Sequence, residues 1–269
     1  MAGALSTPLP SDASASCADG TNRSFIIGDV HGCIDELRTM LRSLRPARRC
    51  GDRLIFVGDV VGKGPWPLET LRTVRQSVDA VGGQLVLGNH EASVLRWLSQ
   101  REAGLPENQR HCVSRANKAL AEALSEEEVA WLRRRPHFVW LAEHGIAVVH
   151  AGFAPGVPLS QQRAEHMLTM RSLSVDGVPS PRLGAAPWAT QWQGPYRVVF
   201  GHDARRGLQQ HALATGIDTG CVYGGNLTAL IIRSSGETSM AHVRSYATWC
   251  VPGSRSRWHG SESRSSNCH

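Results

Sequence analysis

The sequence predicts an α/β fold built around a parallel sheet, and three observations carry the prediction. Short apolar runs of strand length alternate with segments of helical period through the first hundred residues. The alternation recurs at roughly thirty-residue spacing, which implies right-handed β-α-β crossovers. Five of the apolar runs then pass through a glycine or small residue into Asp, Asn or His. Such turns belong at the carboxyl ends of parallel strands, where open α/β sheets collect their ligands.

Taken in order, a strand over 25–27 leads into Gly28-Asp29-Val30-His31-Gly32. A helix over 34–44 follows, with Leu37, Leu41 and Leu44 on one face. A strand over 54–57 leads to Gly58-Asp59, and Pro65 and Pro67 open a helix through Leu71 and Val74. A strand over 85–87 leads to Gly88-Asn89-His90 and a helix over 91–97. Residues 101–122 carry no regular pattern. Ser125 with Glu128 forms a capping box for the next helix. Glu126, Glu127 and Glu128 lie in its first turn and Arg133, Arg134 and Arg135 in its last, so this charge run complements the helix dipole and reads as structural. Strands over 138–141 and 146–149 lead to His150, and a strand over 197–200 leads to Gly201-His202. Residues 153–195 are proline-rich loop. Runs over 227–232 and 240–243 form a hairpin about 234–236, from which a second sheet is expected.

The chain has 269 residues, enough for one good-sized domain, with globular proportions of 41% hydrophobic and 19% charged residues. We expect a disordered segment over 1–22, a catalytic domain over 23–250 and a disordered tail over 251–269, the ends being rich in Ser with Ala and Pro or with Arg and Gly. The net charge of +6 favours anionic partners, though the arginines are scattered. The seven cysteines are odd in number, irregularly spaced and without a CxxC pair, which predicts reduced thiols. No run approaches the ~18 apolar residues of a membrane span. Residues 1–22 hold neither a signal-peptide core nor an arginine, so the expected address is cytoplasmic, with no membrane partner.

If the five turns share one edge, Asp29, His31, Asp59, Asn89, His150 and His202 meet. This mixed oxygen and nitrogen set suits two divalent cations, manganese first, with iron, zinc, magnesium or cobalt as alternatives, rather than calcium. Asp59 is the expected bridge, since one carboxylate can span two cations. Two such ions lower the pKa of a shared water and clamp phosphoryl oxygens, which points to in-line attack of a bridging hydroxide on phosphorus. His90, beside Asn89, is a candidate proton donor to the leaving oxygen, making His90 and Asp59 the candidate catalytic pair. Lys63, Asn89 and Arg171 are candidate substrate contacts, Lys63 as a point charge and Arg171 as a planar fork. His111, His137, His144, His166, His211, His242, His259 and His269 are read as ordinary surface or core groups. Trp66, Trp188 and Trp192 lie near the motifs and could stack a base, but packing is the reading we prefer.

The segments GDVHG (28–32), GDVVGKGP (58–65), LGNHE (87–91), VVHAG (148–152) and FGHD (200–203) resemble the calcineurin-like metallophosphoesterases. LSEEEVAWLRRRP (124–136), MRSL (170–173), PWATQW (187–192) and IDTGCVYGGNLTAL (217–230) extend the resemblance over about 24–245. It is strongest to the branch holding phosphoprotein phosphatases and symmetrical diadenosine tetraphosphatases, and GKGP is similar to the eukaryotic ApaH-like phosphatases. The resemblance implies a four-layer α-β-β-α sandwich of two mixed sheets. It implies Asp29, His31 and Asp59 on one ion, and Asp59, Asn89, His150 and His202 on the other. Gly62-Lys63 departs from the Asp-Arg of protein phosphatases, where the Asp bonds the histidine equivalent to His90. A phosphate leaving from an anhydride needs less acid than a serine alkoxide. The expected substrates are therefore phosphoanhydrides: dinucleoside polyphosphates, the mRNA 5′ cap in capped RNA, or inorganic polyphosphate. DNA is not expected. A protein serine/threonine phosphatase is the alternative. A catalytically dead scaffold is disfavoured, because all six ligand positions hold competent residues.

Overall fold

A computed structural model describes Cys17 and residues 22–251. Most of the expected disordered stretches 1–22 and 251–269 lies outside the described residues. Two five-stranded mixed sheets form the centre. The first is built from β1 (Ser24–Ile27), β2 (Arg53–Phe56) and β3 (Gly83–Leu85), which run parallel. The second begins with β4 (Phe138–Leu141) and β5 (Ile146–Val149), which pair antiparallel. A small ribbon, β6 (Ser172–Leu173) with β7 (Pro179–Ser180), lies within the long proline-rich loop. The second sheet continues through β8 (Arg197–Phe200), parallel to β5, then β9 (Gln209–Gln210) at its edge and β10 (Ala214–Gly216) beside β8. The chain finally returns to the first sheet through β11 (Asn226–Ile232) and β12 (Thr238–Arg244), with β11 antiparallel to β1. The hairpin expected over 227–243 is present, but it extends the first sheet, and the second sheet is made by the strands from 138 to 216. Sequence pattern identifies a hairpin without saying which edge it joins.

Strand alternation produces the layers. Phe25, Ile27, Leu54 and Phe56 face the helices, while Ile26, Ile55 and Val57 face the second sheet. Val148 and Val199 meet them from the second sheet, and Val149, Val198 and Phe200 face the far side. The helical layer over the first sheet comprises α1 (Ile34–Leu44), α2 (Pro67–Val81), α3 (Asn89–Glu102), α4 (Arg115–Ala123) and α5 (Glu126–Arg133). The outer layer of the second sheet is thin: α6 (Ala164–Thr169) and a 3-10 turn over Trp188–Gln191. Together they make the expected four-layer α-β-β-α order. Trp188 and Trp192 are buried there, with indole N–H groups donating to the carbonyls of Ala151 (3.0 Å) and Tyr196 (2.8 Å). Trp66 packs edge-on against Trp249. All three therefore act in packing.

α4 lies where no regular pattern was expected. It is short, nine residues, and carries two signals: a cap, with Ser114 Oγ accepting from the Asn117 amide at 3.1 Å, and one buried face with Leu120 and Ala121. Helix α3 starts at Asn89 and runs to Glu102, longer at both ends than expected. Glu36, fully buried, anchors the segment after β12 through Ser245 Oγ, the Tyr246 amide and Trp249 Nε1. The cysteine expectation is corrected. Cys17 and Cys50 form a disulfide, and Cys112 is also disulfide-bonded, while Cys33 and Cys221 are buried free thiols. An irregular spacing carries no information about which thiols meet in space.

The charge run at α5 is structural. Ser125 Oγ accepts from the Glu128 amide and Glu128 returns a bond to the Ser125 amide. Arg72 pairs with Glu128, Arg75 with Glu127 and Arg133 with Glu102. Replacing Ser125 by Ala should therefore lower the stability of the folded chain by about 1 kcal/mol, seen as a lower urea midpoint at unchanged slope, and should leave any hydrolytic activity intact.

Candidate metal centre

Each of the five ligand turns follows the carboxyl end of a strand: β1, β2, β3, β5 and β8. The turns are stitched to one another. The Asp59 carbonyl accepts the amides of Val30 (3.1 Å) and His31 (2.8 Å), joining the first turn to the second. Glu91, fully buried on α3, joins the second to the third: Oε2 accepts from the amides of Asp59 (2.9 Å) and Gly88 (3.0 Å), and Oε1 from Val61 (3.0 Å). Asp29 joins the first to the fifth, its carboxylate accepting the His202 amide at 3.1 and 3.2 Å. His31 (φ 48°), Asp59 (φ 49°) and His202 (φ 67°) are all in the left-handed region, as is Lys63 (φ 22°). Residues other than glycine rarely adopt it, and here it aims side chains inward at the site.

Backbone carbonyls orient the imidazoles. His31 Nδ1 lies 2.9 Å from the Val61 carbonyl, and His150 Nδ1 lies 3.0 Å from that of Val57. A carbonyl can only accept, so each Nδ1 carries the proton and each Nε2 presents a lone pair. His202 is held the other way round, with Nε2 3.1 Å from the Thr169 carbonyl, which leaves Nδ1 as the lone-pair donor. His31 Nε2 faces Asp59 Oδ2 at 3.5 Å, and His150 Nε2 faces Asp59 Oδ1 at 3.5 Å and Asn89 Oδ1 at 2.9 Å. Burial holds His31, His150 and His202 below the usual histidine range, so they are neutral at pH 7. At His150, lone pairs therefore face lone pairs with no proton between them, an arrangement that suits a cation. Lys63 Nζ, 2.8 Å from His31 Nε2, supplies positive charge on that side of Asp59.

The donors fall into two groups that share Asp59: His31, Asp59 and His90, and Asp59, His150 and His202. The Asp59 carboxyl lies below the usual carboxylate range: burial raises it, and the rings of His150, His90 and His31 when protonated, with the Lys63 ammonium, pull it down. At pH 7, where the rings are neutral, Lys63 is the charge that opposes burial. Asp29 is buried in the same pocket and raised by that burial, then by the Asp218 and Asp59 charges. Asn89 reaches His150, as described. Lys63 lies over the Tyr223 ring and beside Asp59 and Asp218, which keep it an ammonium despite its burial. Arg171 is at the rim, held by the carbonyls of Pro181 (3.1 Å) and His202 (3.4 Å). His90 Nε2 stands 4.0 Å from Asp59 Oδ2, its amide donates to Asp59 Oδ1 at 2.9 Å, and burial pushes its imidazole down to about 4. Every residue singled out from sequence is therefore at or beside this centre.

Three more were not singled out. Glu91 clamps the turns; its place three residues after Gly88 is the signal that could have found it. Asp218, just past the end of β10, adds a sixth strand-end turn to the five, its carboxyl raised to about 6 by burial against the opposing pull of Lys63. Asn117 reaches the His90 ring from α4, and no sequence signal pointed to it.

Two outcomes follow from this geometry. Glu91→Gln turns one acceptor toward backbone N–H groups into a donor, so metal affinity should fall by about 10–100-fold, measured by calorimetric titration; an unchanged affinity would reduce the clamp to packing. The His90 ring proton in metal-free protein should titrate with a midpoint of about 4. The unfolded chain takes that proton first, at the usual pKa of about 6.5, so this group's contribution to stability is present above that value and is lost as pH falls through 4. A midpoint at the usual value would mean that the ring is solvated.

Residues 23–206 match the calcineurin-like phosphoesterase family. The asymmetrical bis(5'-nucleosyl)-tetraphosphatase PrpE of Halalkalibacterium halodurans is 30% identical over 217 residues, 76% of this chain and 88% of the relative. The symmetrical bis(5'-nucleosyl)-tetraphosphatase of Sodalis glossinidius is 30% identical over 266 residues, 77% of this chain and 90% of the relative. A crystal structure of a candidate diadenosine tetraphosphatase superposes with a TM-score of 0.69 at 33% identity, covering 83% of this chain and 95% of its own. A protein serine/threonine phosphatase of Saccharomyces cerevisiae shares the fold alone, with a TM-score of 0.57 at 14% identity. The order of the ligand turns, the paired sheets and these matches together mean that the chain belongs to the calcineurin-like phosphoesterase family, hydrolases of phosphate esters and anhydrides.

Proposed function

We propose that residues 23–250 form a dinuclear-metal-dependent hydrolase of phosphoanhydride bonds, with dinucleoside polyphosphates as the first substrate class and the 5′ cap of RNA and inorganic polyphosphate after them. One observation carries the choice of bond. The His90 ring packs directly over Gly62, where a Cβ would overlap Nδ1 as the ring now stands, and position 62 offers no side chain to pair with it. With no carboxylate partner there, and with burial holding it neutral, His90 is a weak acid at pH 7. A phosphate or nucleotide departs from an anhydride already stabilised as an anion and needs little proton transfer, whereas a serine alkoxide needs a strong acid. The tetraphosphatase names of the relatives support the same class.

Asp29, His31 and Asp59 would hold one divalent cation, and Asp59, Asn89, His150 and His202 the second, manganese being the first choice for this donor set. Such ions, once bound, supply Lewis acidity to phosphoryl oxygens and lower the pKa of water. The chain's own residues do the rest. Lys63 places a point charge beside a phosphate chain, and Arg171 offers a planar fork at the rim. Asn89 orients a phosphoryl oxygen as it holds its ion. His90 donates a hydrogen bond to the departing oxygen. Asp59 fixes the spacing of the whole set, since both donor groups contain it.

The test compares kcat/KM for diadenosine tetraphosphate, capped RNA, inorganic polyphosphate and a phosphoserine peptide in manganese, with Asp59→Asn as the blank. Any of the first three should be preferred, and two ADP or ATP with AMP will show which bond of the tetraphosphate is cut. A preference for the phosphopeptide would overturn the reading. Lys63→Ala should raise KM for polyphosphate substrates about tenfold with little change in kcat, the mark of a uniform binding contact.

A further inference from the structure

The His90 ring has one neighbour that the ligand turns do not supply. Asn117, on the first turn of α4, is buried, and its side-chain Nδ2 stands 3.4 Å from His90 Nδ1. Gly62 leaves this edge of the ring clear of any side chain from the second ligand turn. His31 packs against the ring edge-on, with centroids 4.8 Å apart. The opposite nitrogen, Nε2, faces the ionised Asp59 carboxylate at 4.0 Å. Asn117 Oδ1 is buried and has no hydrogen-bond partner among the described residues. A buried carbonyl left unpaired costs stability, so core packing does not account for an asparagine here. A leucine or alanine would fill the same place on α4 without that cost.

We propose that Asn117 is the positioning residue for His90: its amide N–H donates to Nδ1 and thereby keeps the imidazole proton on Nε2, pointing into the site. An amide N–H can bond Nδ1 only where that nitrogen bears a lone pair, so the neutral ring must carry its single proton on Nε2. The Asp59 carboxylate favours the same tautomer, because an N–H pointing at it is attracted and a lone pair is repelled. The result is a neutral donor aimed at the departing oxygen. A carboxylate partner would instead accept from Nδ1 and favour the doubly protonated ring. The assignment rests on the reading of His90 as the group that bonds the departing oxygen. It adds that α4, together with the bare Gly62 of the second ligand turn, selects the kind of leaving group the enzyme serves.

The first readout needs neither metal nor substrate. Nitrogen-15 spectra of selectively labelled, full-length, metal-free protein should show His90 protonated on Nε2. Asn117→Ala should give a mixture of tautomers, and Asn117→Asp should move the proton to Nδ1. A wild-type ring protonated on Nδ1, or an Asn117→Ala ring with the tautomer unchanged, would overturn the assignment. The second readout uses bis-aryl phosphodiesters of graded leaving group with manganese-loaded protein. Asn117→Ala should lower kcat about tenfold for the poorest leaving group and less than about twofold for the best, with KM unaltered. An equal loss across the series would make Asn117 merely structural and overturn the proposal. Thermal unfolding guards the comparison, since Asn117→Ala should be no less stable than the wild type. Should the protein hydrolyse no phosphoanhydride, the proposed substrate class falls while the tautomer measurement still decides the role of Asn117.

Discussion

Three backbone N–H groups converging on one buried carboxylate hold this site together. Glu91 takes bonds from Asp59, Val61 and Gly88, so the second and third ligand turns share a single anchor on α3. Burial and then the nearby Asp59 charge raise that carboxyl, while the amides of Val61 and Asp59 pull it down. With N–H donors on both oxygens, the ionised form is the one this geometry pairs. The Asp59 main chain is pinned by this anchor on one side and by the amides of Val30 and His31 on the other. Its carboxylate, common to both donor groups, is thus placed by backbone rather than by a flexible side chain. The rest of the centre is arranged around that fixed point.

Fixing the ligands has an energetic cost. His31, Asp59, His202 and Lys63 adopt left-handed backbone, each at about 1–3 kcal/mol. Four such residues in a domain of ordinary marginal stability form a large local debt. The layers beneath offset it. Isoleucine, valine and leucine fill the space between the sheets, and Phe25, Phe56 and the buried faces of the helices seal the other side. Rigidity below and strain above are two parts of one arrangement, because only an over-determined scaffold can keep unfavourable turns in place.

The strand ends were readable because a short continuous apolar run followed by glycine or a small residue and a candidate ligand is local information. That is why β1, β2, β5 and β8 fall within a residue or two of expectation and why the six candidate donors could be picked out together. What escaped is non-local. Asn117 sits on a helix of nine residues and meets His90 only after the helices pack. Asp218 was visible inside a recognised segment, but β10 is too short to announce itself as a strand. The hairpin β11–β12 was found and misassigned, since strand pattern does not encode which edge it joins. Cys17 and Cys50 are 33 residues apart, with nothing between them to mark a pair.

The centre also straddles the seam between the two sheets. Asp29, His31 and Asp59 ride on the first sheet and His150 and His202 on the second, with Asp29 already reaching across to the His202 amide. A cation held by donors from both sides behaves as a crosslink between two packed bodies, and its grip depends on how closely they are docked. A methyl group removed from Ile55, Val148 or Val199, deep in the seam and outside the donor set, would let the sheets shift and would be scored in a screen as weakened chelation. Residues outside the donor set would therefore help to set the affinity for any cation held there.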